Sequence, residues 1–319
     1  MSNTRFSDSK VLIVATQVAS RDIVKDTLHN MGFRGTRVCQ DLIEAKAILD
    51  VSFYDLLIID CDFTEGDPSD LILDLRQNRE GAISFIPVIA LTWQPVMVTI
   101  KKMVDAGADL VLSLPMPAQK MLDAIRTIID NRKPFVVTSG YVGPDRRGVV
   151  REDDDNSVMR VEVPNTLRKK ATGKDDGIDA AKVLEVVRDK RVESHASKVL
   201  HTVGLITQAA AAFEEDGGES LRNFVDELRE VVVDLDRRIA KTRHAHQATL
   251  CKSLVDVANR MAADGSEKGI TNSRDLALVQ QLGMAVELAM KQSDGASAGA
   301  AMDISDVVAQ RDQQGTRQP

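Results

Sequence analysis

Residues 55–61 read Asp-Leu-Leu-Ile-Ile-Asp-Cys, and this run constrains the fold more than any other stretch of the chain. Four branched aliphatic residues in a row, bounded by carboxylates, predict a strand covered on both faces, as in a parallel sheet. Such a strand delivers Asp60 to its C-terminal edge, where open α/β sheets place their ligands. Similar runs end in Ala15 and Thr16, in Thr92, and in Leu114 and Pro115. Strands are expected at 10–15, 35–38, 56–61, 87–92 and 109–113, alternating with helices at 20–31, 41–50, 68–78, 96–106 and 117–131. Gly32 and Gly107 suit helix C-termini, and Pro68 and Pro117 suit helix starts. Alternation of this kind predicts a parallel sheet with crossover helices.

These strand ends resemble the receiver domain of bacterial two-component response regulators. In that family two acidic residues follow the first strand, an Asp follows the third, Ser or Thr the fourth, and Lys-Pro the fifth. Asp60, Thr92 and Pro115 match, whereas Ala15 and Thr16 replace the acidic pair and Leu114 replaces the lysine. The resemblance implies a flavodoxin-like (βα)5 fold with strand order 2-1-3-4-5 and a cis Leu114–Pro115 bond. It also implies that Asp60 is the position of a phosphoacceptor served by Mg²⁺. Mg²⁺ is held by carboxylates and phosphate oxygens, so Ala15 and Thr16 leave a degraded metal site. Asp62 occupies a place where the family uses a backbone carbonyl, and Val111 stands where it has a switching aromatic. A divergent receiver is therefore expected, with no catalytic residue and with output through protein contact. A histidine kinase or another two-component protein is the implied partner. A phosphorylatable Asp60 is the alternative. Trp93, on the loop that receivers use for partners, is read either as an interface anchor or as packing on the fourth helix.

Composition narrows the class. A net charge of −7 supplies no basic excess to neutralise phosphates, which argues against nucleic-acid binding. Cys39, Cys61 and Cys251 are widely spaced, as in a reduced cytoplasmic protein, and no HExxH or CxxC pattern supports a metal site. The start is polar up to Lys10, and no apolar run reaches membrane-spanning length. Neither a nucleotide loop nor a helix-turn-helix is evident, so an enzyme is not expected.

The predicted order is a receiver-like domain at 8–132, a linker at 133–176, an all-α hairpin or coiled-coil domain at 177–293, and a disordered Gly/Ala/Ser/Gln-rich tail at 294–319. Within the linker, Arg147-Gly-Val-Val-Arg151 fits half of a cyclic-di-GMP-binding pattern, but Arg160 stands where the second half requires glycine. Helices are expected at 178–215, 219–263 and 273–292. On the second, Leu221, Val225, Leu228, Val232, Leu235 and Ile239 follow steps of four and three, the seam of a two-stranded coiled coil, which predicts a homodimer. The first carries a like stripe from Val192 to Phe213. The seam register continues through Thr242 and His246, read as a polar layer, and the apolar stripe resumes out of phase at Leu250. His195-Ala-Ser-Lys198 resembles the His-x-x-Lys of histidine phosphotransfer bundles, which makes His195 a second candidate phosphate carrier, with His201 facing outward.

Overall fold

The aliphatic runs pair into one parallel sheet. β1 (Lys10–Val14), β2 (Gly35–Cys39), β3 (Leu56–Asp60), β4 (Val88–Thr92) and β5 (Leu110–Ser113) lie in the order β2-β1-β3-β4-β5. The computed structural model describes residues 5–146, 160–211, 218–240, 242–264 and 273–291. The chain divides into two units, Met1–Val187 and Arg188–Pro319. Phe213, Gly217, Gly265, Asn272, the Arg147–Arg151 pattern and the tail at 294–319 lie outside the described residues.

In the first unit the strands alternate their side chains between two cores, the period-two consequence of the pleat. Val11, Ile13, Leu56, Ile58, Ile89 and Leu91 face α1 (Val18–Asn30) and α5 (Ala118–Asn131). Leu12, Val14, Leu57, Ile59, Val88 and Ala90 face α2 (Leu42–Val51), α3 (Pro68–Asn78) and α4 (Met97–Ala106). Asp67 caps α3 by accepting the Ser69 N–H, with Pro68 at the first helical position. The flavodoxin-like (βα)5 fold is thus present, and the Leu114–Pro115 peptide is cis.

The stretch expected as a linker is built differently. It carries β6 (Phe135–Val137), β7 (Val142–Pro144) and β8 (Arg160–Val161), an antiparallel sheet in the order β7-β6-β8, followed by α6 (Thr166–Thr172). Such short strands leave no readable periodicity, and the core beneath them is shared with the five-stranded domain through Phe85. Phe135 is wholly buried and meets Phe85 edge-on at 6.0 Å. The guanidinium groups of Arg76 and Arg132 lie 5.1 and 5.2 Å from its ring centroid. Asp109 joins them: Oδ2 accepts from Arg76 at 3.1 Å and from the Val88 N–H at 2.9 Å, and Oδ1 accepts from Arg132 at 2.7 Å. Arg146 donates to the Ala108 and Asp109 carbonyls. Gly107, at φ +101°, and Gly143 let β7 lie against the end of α4, since a Cβ on Gly143 would come within 2.8 Å of Gly107 Cα. Leu167 and Ala171 of α6 join the core beside α5.

α7 (Ala180–Ala211) runs through the division at Val187/Arg188. The second unit holds its remainder with α8 (Glu219–Ile239), α9 (Ala248–Asp264) and α10 (Ser273–Lys291). Lys198 pairs with Glu227 at 3.1 Å and Arg229 donates to Asn259 at 2.8 Å, which sets α8 antiparallel to both α7 and α9. The single helix expected at 219–263 is therefore broken at 240–247. Thr242 Oγ1 donates to the Ile239 carbonyl and accepts the His244 N–H, capping the end of α8 without Gly or Pro. The out-of-phase stripe marks this reversal. His246 sits exposed in a 3₁₀ turn (Ala245–Gln247) and forms no polar layer.

All six seam residues from Leu221 to Ile239 are buried in one core with Val192, Val199 and Ile206 of α7, Leu254 and Val257 of α9, and Val279, Leu282 and Val286 of α10. The seam is consumed within the chain, so it supplies no reason for a second copy.

Candidate functional site

β3 ends in Asp60, whose neighbour in register is Leu91, while Thr92 pairs with Ser113. Asp60, Thr92 and Leu114 come to the same sheet edge, and Leu114 N–H donates to the Thr92 carbonyl at 2.8 Å. Asp60 has an exposure of 0 %. Its Oδ2 accepts from Ser20 Oγ at 2.7 Å and its Oδ1 from the Asp62 N–H at 3.1 Å. Burial raises the Asp60 carboxyl above its ordinary range, and the bonds from Ser20 and Asp62 pull the other way.

The surrounding groups are committed elsewhere. Ala15 is buried, and Thr16 points its hydroxyl at the Gln40 carbonyl, 3.3 Å away. Leu114 is buried in the core beside α5. Thr92 Oγ1 donates to the Gln94 carbonyl at 2.9 Å and accepts the Gln94 N–H at 3.1 Å, so its hydroxyl serves its own loop. Trp93 is bonded to the residues around Asp60. Its indole Nε1 donates to Ser20 Oγ at 2.8 Å, and its backbone N–H donates to Asp62 Oδ2 at 3.2 Å. The ring packs on the α1/α5 side of the sheet and not on α4, one of the two readings made of it.

Ser20 was not singled out in the sequence, although a signal existed. Ser20, Val24 and Leu28 are the buried face of α1, at steps of four, so a hydroxyl stands where the stripe calls for an apolar side chain. Buried polar groups need partners, and here the partners are Asp60 and Trp93.

His195 is placed far less openly than its sequence context predicts. Its side chain is 7 % exposed, with Nε2 at 3.2 Å from Asp234 Oδ2 but without hydrogen-bond geometry. Burial first, then the Arg238 guanidinium, holds its pKa down to about 4. His201 is exposed. Among the described residues no group of His, Cys, Asp and Glu side chains could hold a metal ion, and no helix is long and apolar enough to cross a membrane.

The sheet order and the strand-end positions of Asp60, Thr92 and Pro115 match those of a receiver domain of two-component signalling. Residues 11–126 match the response regulator receiver domain. The chemotaxis protein CheY-3 of Vibrio cholerae is 25 % identical over 121 residues, covering 38 % of this chain and 92 % of that protein. Among solved structures, CheY4 of Vibrio cholerae is 21 % identical, with 38 % of this chain and 98 % of that chain covered and a TM-score of 0.34. The receiver domain of a Pseudomonas aeruginosa sensor histidine kinase, solved with magnesium coordinated in its active-site cleft, is 20 % identical, with 36 % and 93 % covered and a TM-score of 0.33.

Proposed function

We propose that this chain is a two-component signalling protein whose divergent receiver acts by protein–protein contact, with Asp60 held out of phosphoryl transfer. One observation carries the reading. The Asp60 carboxylate is wholly buried, with both oxygens accepting hydrogen bonds, one of them from a Ser20 hydroxyl that also holds the Trp93 indole. Phosphoryl transfer to a carboxylate needs an approach path and a cation to neutralise the converging charges. Ala15 and Thr16 supply no carboxylate, Leu114 supplies no cation, and the donor set does not fit Mg²⁺.

Partners on this reading are other two-component proteins, a histidine kinase among them. The rival reading, a phosphoacceptor Asp60, draws on the position of Asp60 and Thr92 at one sheet edge. The phosphotransfer role weighed for His195 draws on the His-x-x-Lys spacing alone and conflicts with its burial. A homodimer remains a separate proposal, since the α8 seam is already occupied.

Magnesium tests the reading. Titration followed by the amide shifts of Asp60, Cys61 and Asp62 should show no saturation in the unaltered protein, and tighter binding in a variant with Ala15→Asp and Thr16→Asp. Equal affinity in the two proteins overturns the degraded-site argument.

A further inference from the structure

Three bonds anchor the start of the β4–α4 loop: Trp93 Nε1 to Ser20 Oγ, the Trp93 N–H to Asp62, and Thr92 Oγ1 with Gln94. The residues that follow, Gln94 to Val98, are all exposed. The loop is thus held at one end and bathed in solvent over the rest. Ser20 Oγ is the hinge of the arrangement, because it accepts from the indole and donates to Asp60 Oδ2. A hydroxyl can do both at once, having one proton and two lone pairs.

We infer that the chain Trp93–Ser20–Asp60 is a latch: the Ser20 hydroxyl ties the indole to the buried carboxylate, and release of the indole uncovers Asp60. The bond joins two elements on opposite sides of the carboxylate, the first turn of α1 and the loop after β4. The other two anchors fix the backbone of Trp93 and Gln94, so with this bond broken the ring is held by its packing on the α1/α5 side. Opening costs the Trp93–Ser20 hydrogen bond and the packing of a partly buried ring, a local opening within a folded domain. The input to such a receiver is the state of the latch. This inference rests on the reading that Asp60 is not a phosphoacceptor in the folded protein.

The test uses the full chain and reads Asp60 by carbodiimide coupling of an amine, with the modified carboxyls located by mass spectrometry. Exposed Glu65 is the internal standard. In the unaltered protein Asp60 should react at least about tenfold more slowly than Glu65. Ser20→Ala removes both bonds, and Trp93→Phe keeps the ring bulk while removing the indole N–H. Each should speed Asp60 modification by about tenfold. Trp93 is the single tryptophan, so in Ser20→Ala its emission should shift to the red. Unaltered protection of Asp60 in Trp93→Phe overturns the latch, whatever Ser20→Ala does to folding. So does an Asp60 that reacts as fast as Glu65 before any substitution. A protein that takes a phosphoryl group on Asp60 yet shows the latch behaviour discards the proposed function and keeps the latch. A protein that refuses phosphoryl groups while its Asp60 reacts freely with carbodiimide does the reverse.

Discussion

The indole nitrogen of Trp93 lies 2.8 Å from the hydroxyl of Ser20, although 73 residues separate them in the chain. That contact ties the loop after β4 to the first turn of α1, and the same Ser20 hydroxyl donates to the carboxylate of Asp60.

The Asp60 carboxyl should cost stability at neutral pH. Its folded pKa is raised by burial, so it favours folding only while protonated, and that contribution is lost as pH rises through the folded value. Asp60→Asn should therefore raise the thermal midpoint at pH 7, with the difference from the unaltered protein closing as pH falls toward 4. Melting curves at both pH values check this, and a lower midpoint for the variant at pH 7 contradicts it.

Asp109 should be among the most sensitive positions of the first unit. Arg76 is fully buried against it, and Arg132 shares its carboxylate. Asp109→Ala strands a buried guanidinium and should cost about 3–5 kcal/mol. Phe135→Ala, which removes the buried ring that both arginines lie against, should cost a similar ~3–5 kcal/mol. Denaturant titration of each variant measures both effects.

Leu228→Asp with Leu235→Asp should melt the helical unit. Both leucines have an exposure of 0 % in the core shared by α7, α8, α9 and α10. Two unpaired carboxylates placed there should exceed about 4 kcal/mol of destabilisation. Helical circular dichroism should fall while the oligomeric state, read by light scattering, stays as in the unaltered protein. A folded variant that merely dissociates into monomers would restore the dimer seam.

His195 should make the second unit acid-sensitive. Its folded pKa of about 4 lies below the ordinary 6.5, so the unfolded chain binds the proton first. Stability present above pH 6.5 is lost as pH falls toward 4, by a total on the order of 2–3 kcal/mol. His195→Gln should flatten that slope without losing α7. An unchanged slope assigns the titration elsewhere.

Much of the receiver was legible because its strands are long aliphatic runs and its helices carry stripes of matching period. Asp60, Thr92 and Leu114 were readable as neighbours for the same reason, since strand ends in a parallel sheet share an edge. The small sheet at Phe135–Val161 was not, because strands of two and three residues have no period and their core belongs to Phe85 and Arg76. The break after Ile239 lacks Gly and Pro and is made by Thr242, a residue that also suits a helix surface. Ser20 was hidden because its partners, Asp60 and Trp93, are distant in sequence. The six-residue seam on α8 was real as a pattern, but a pattern of apolar spacing does not say whether its partner helix lies in the same chain.

The most direct measurement is the intact mass of the full chain after incubation with a small-molecule phosphodonor and Mg²⁺, followed by peptide mapping around Asp60. A variant carrying Ala15→Asp, Thr16→Asp and Leu114→Lys runs beside it. The account predicts that the unaltered protein keeps its mass through hours of incubation. A phosphoryl group on Asp60 of the unaltered protein, gained as readily as in the restored variant, would contradict it.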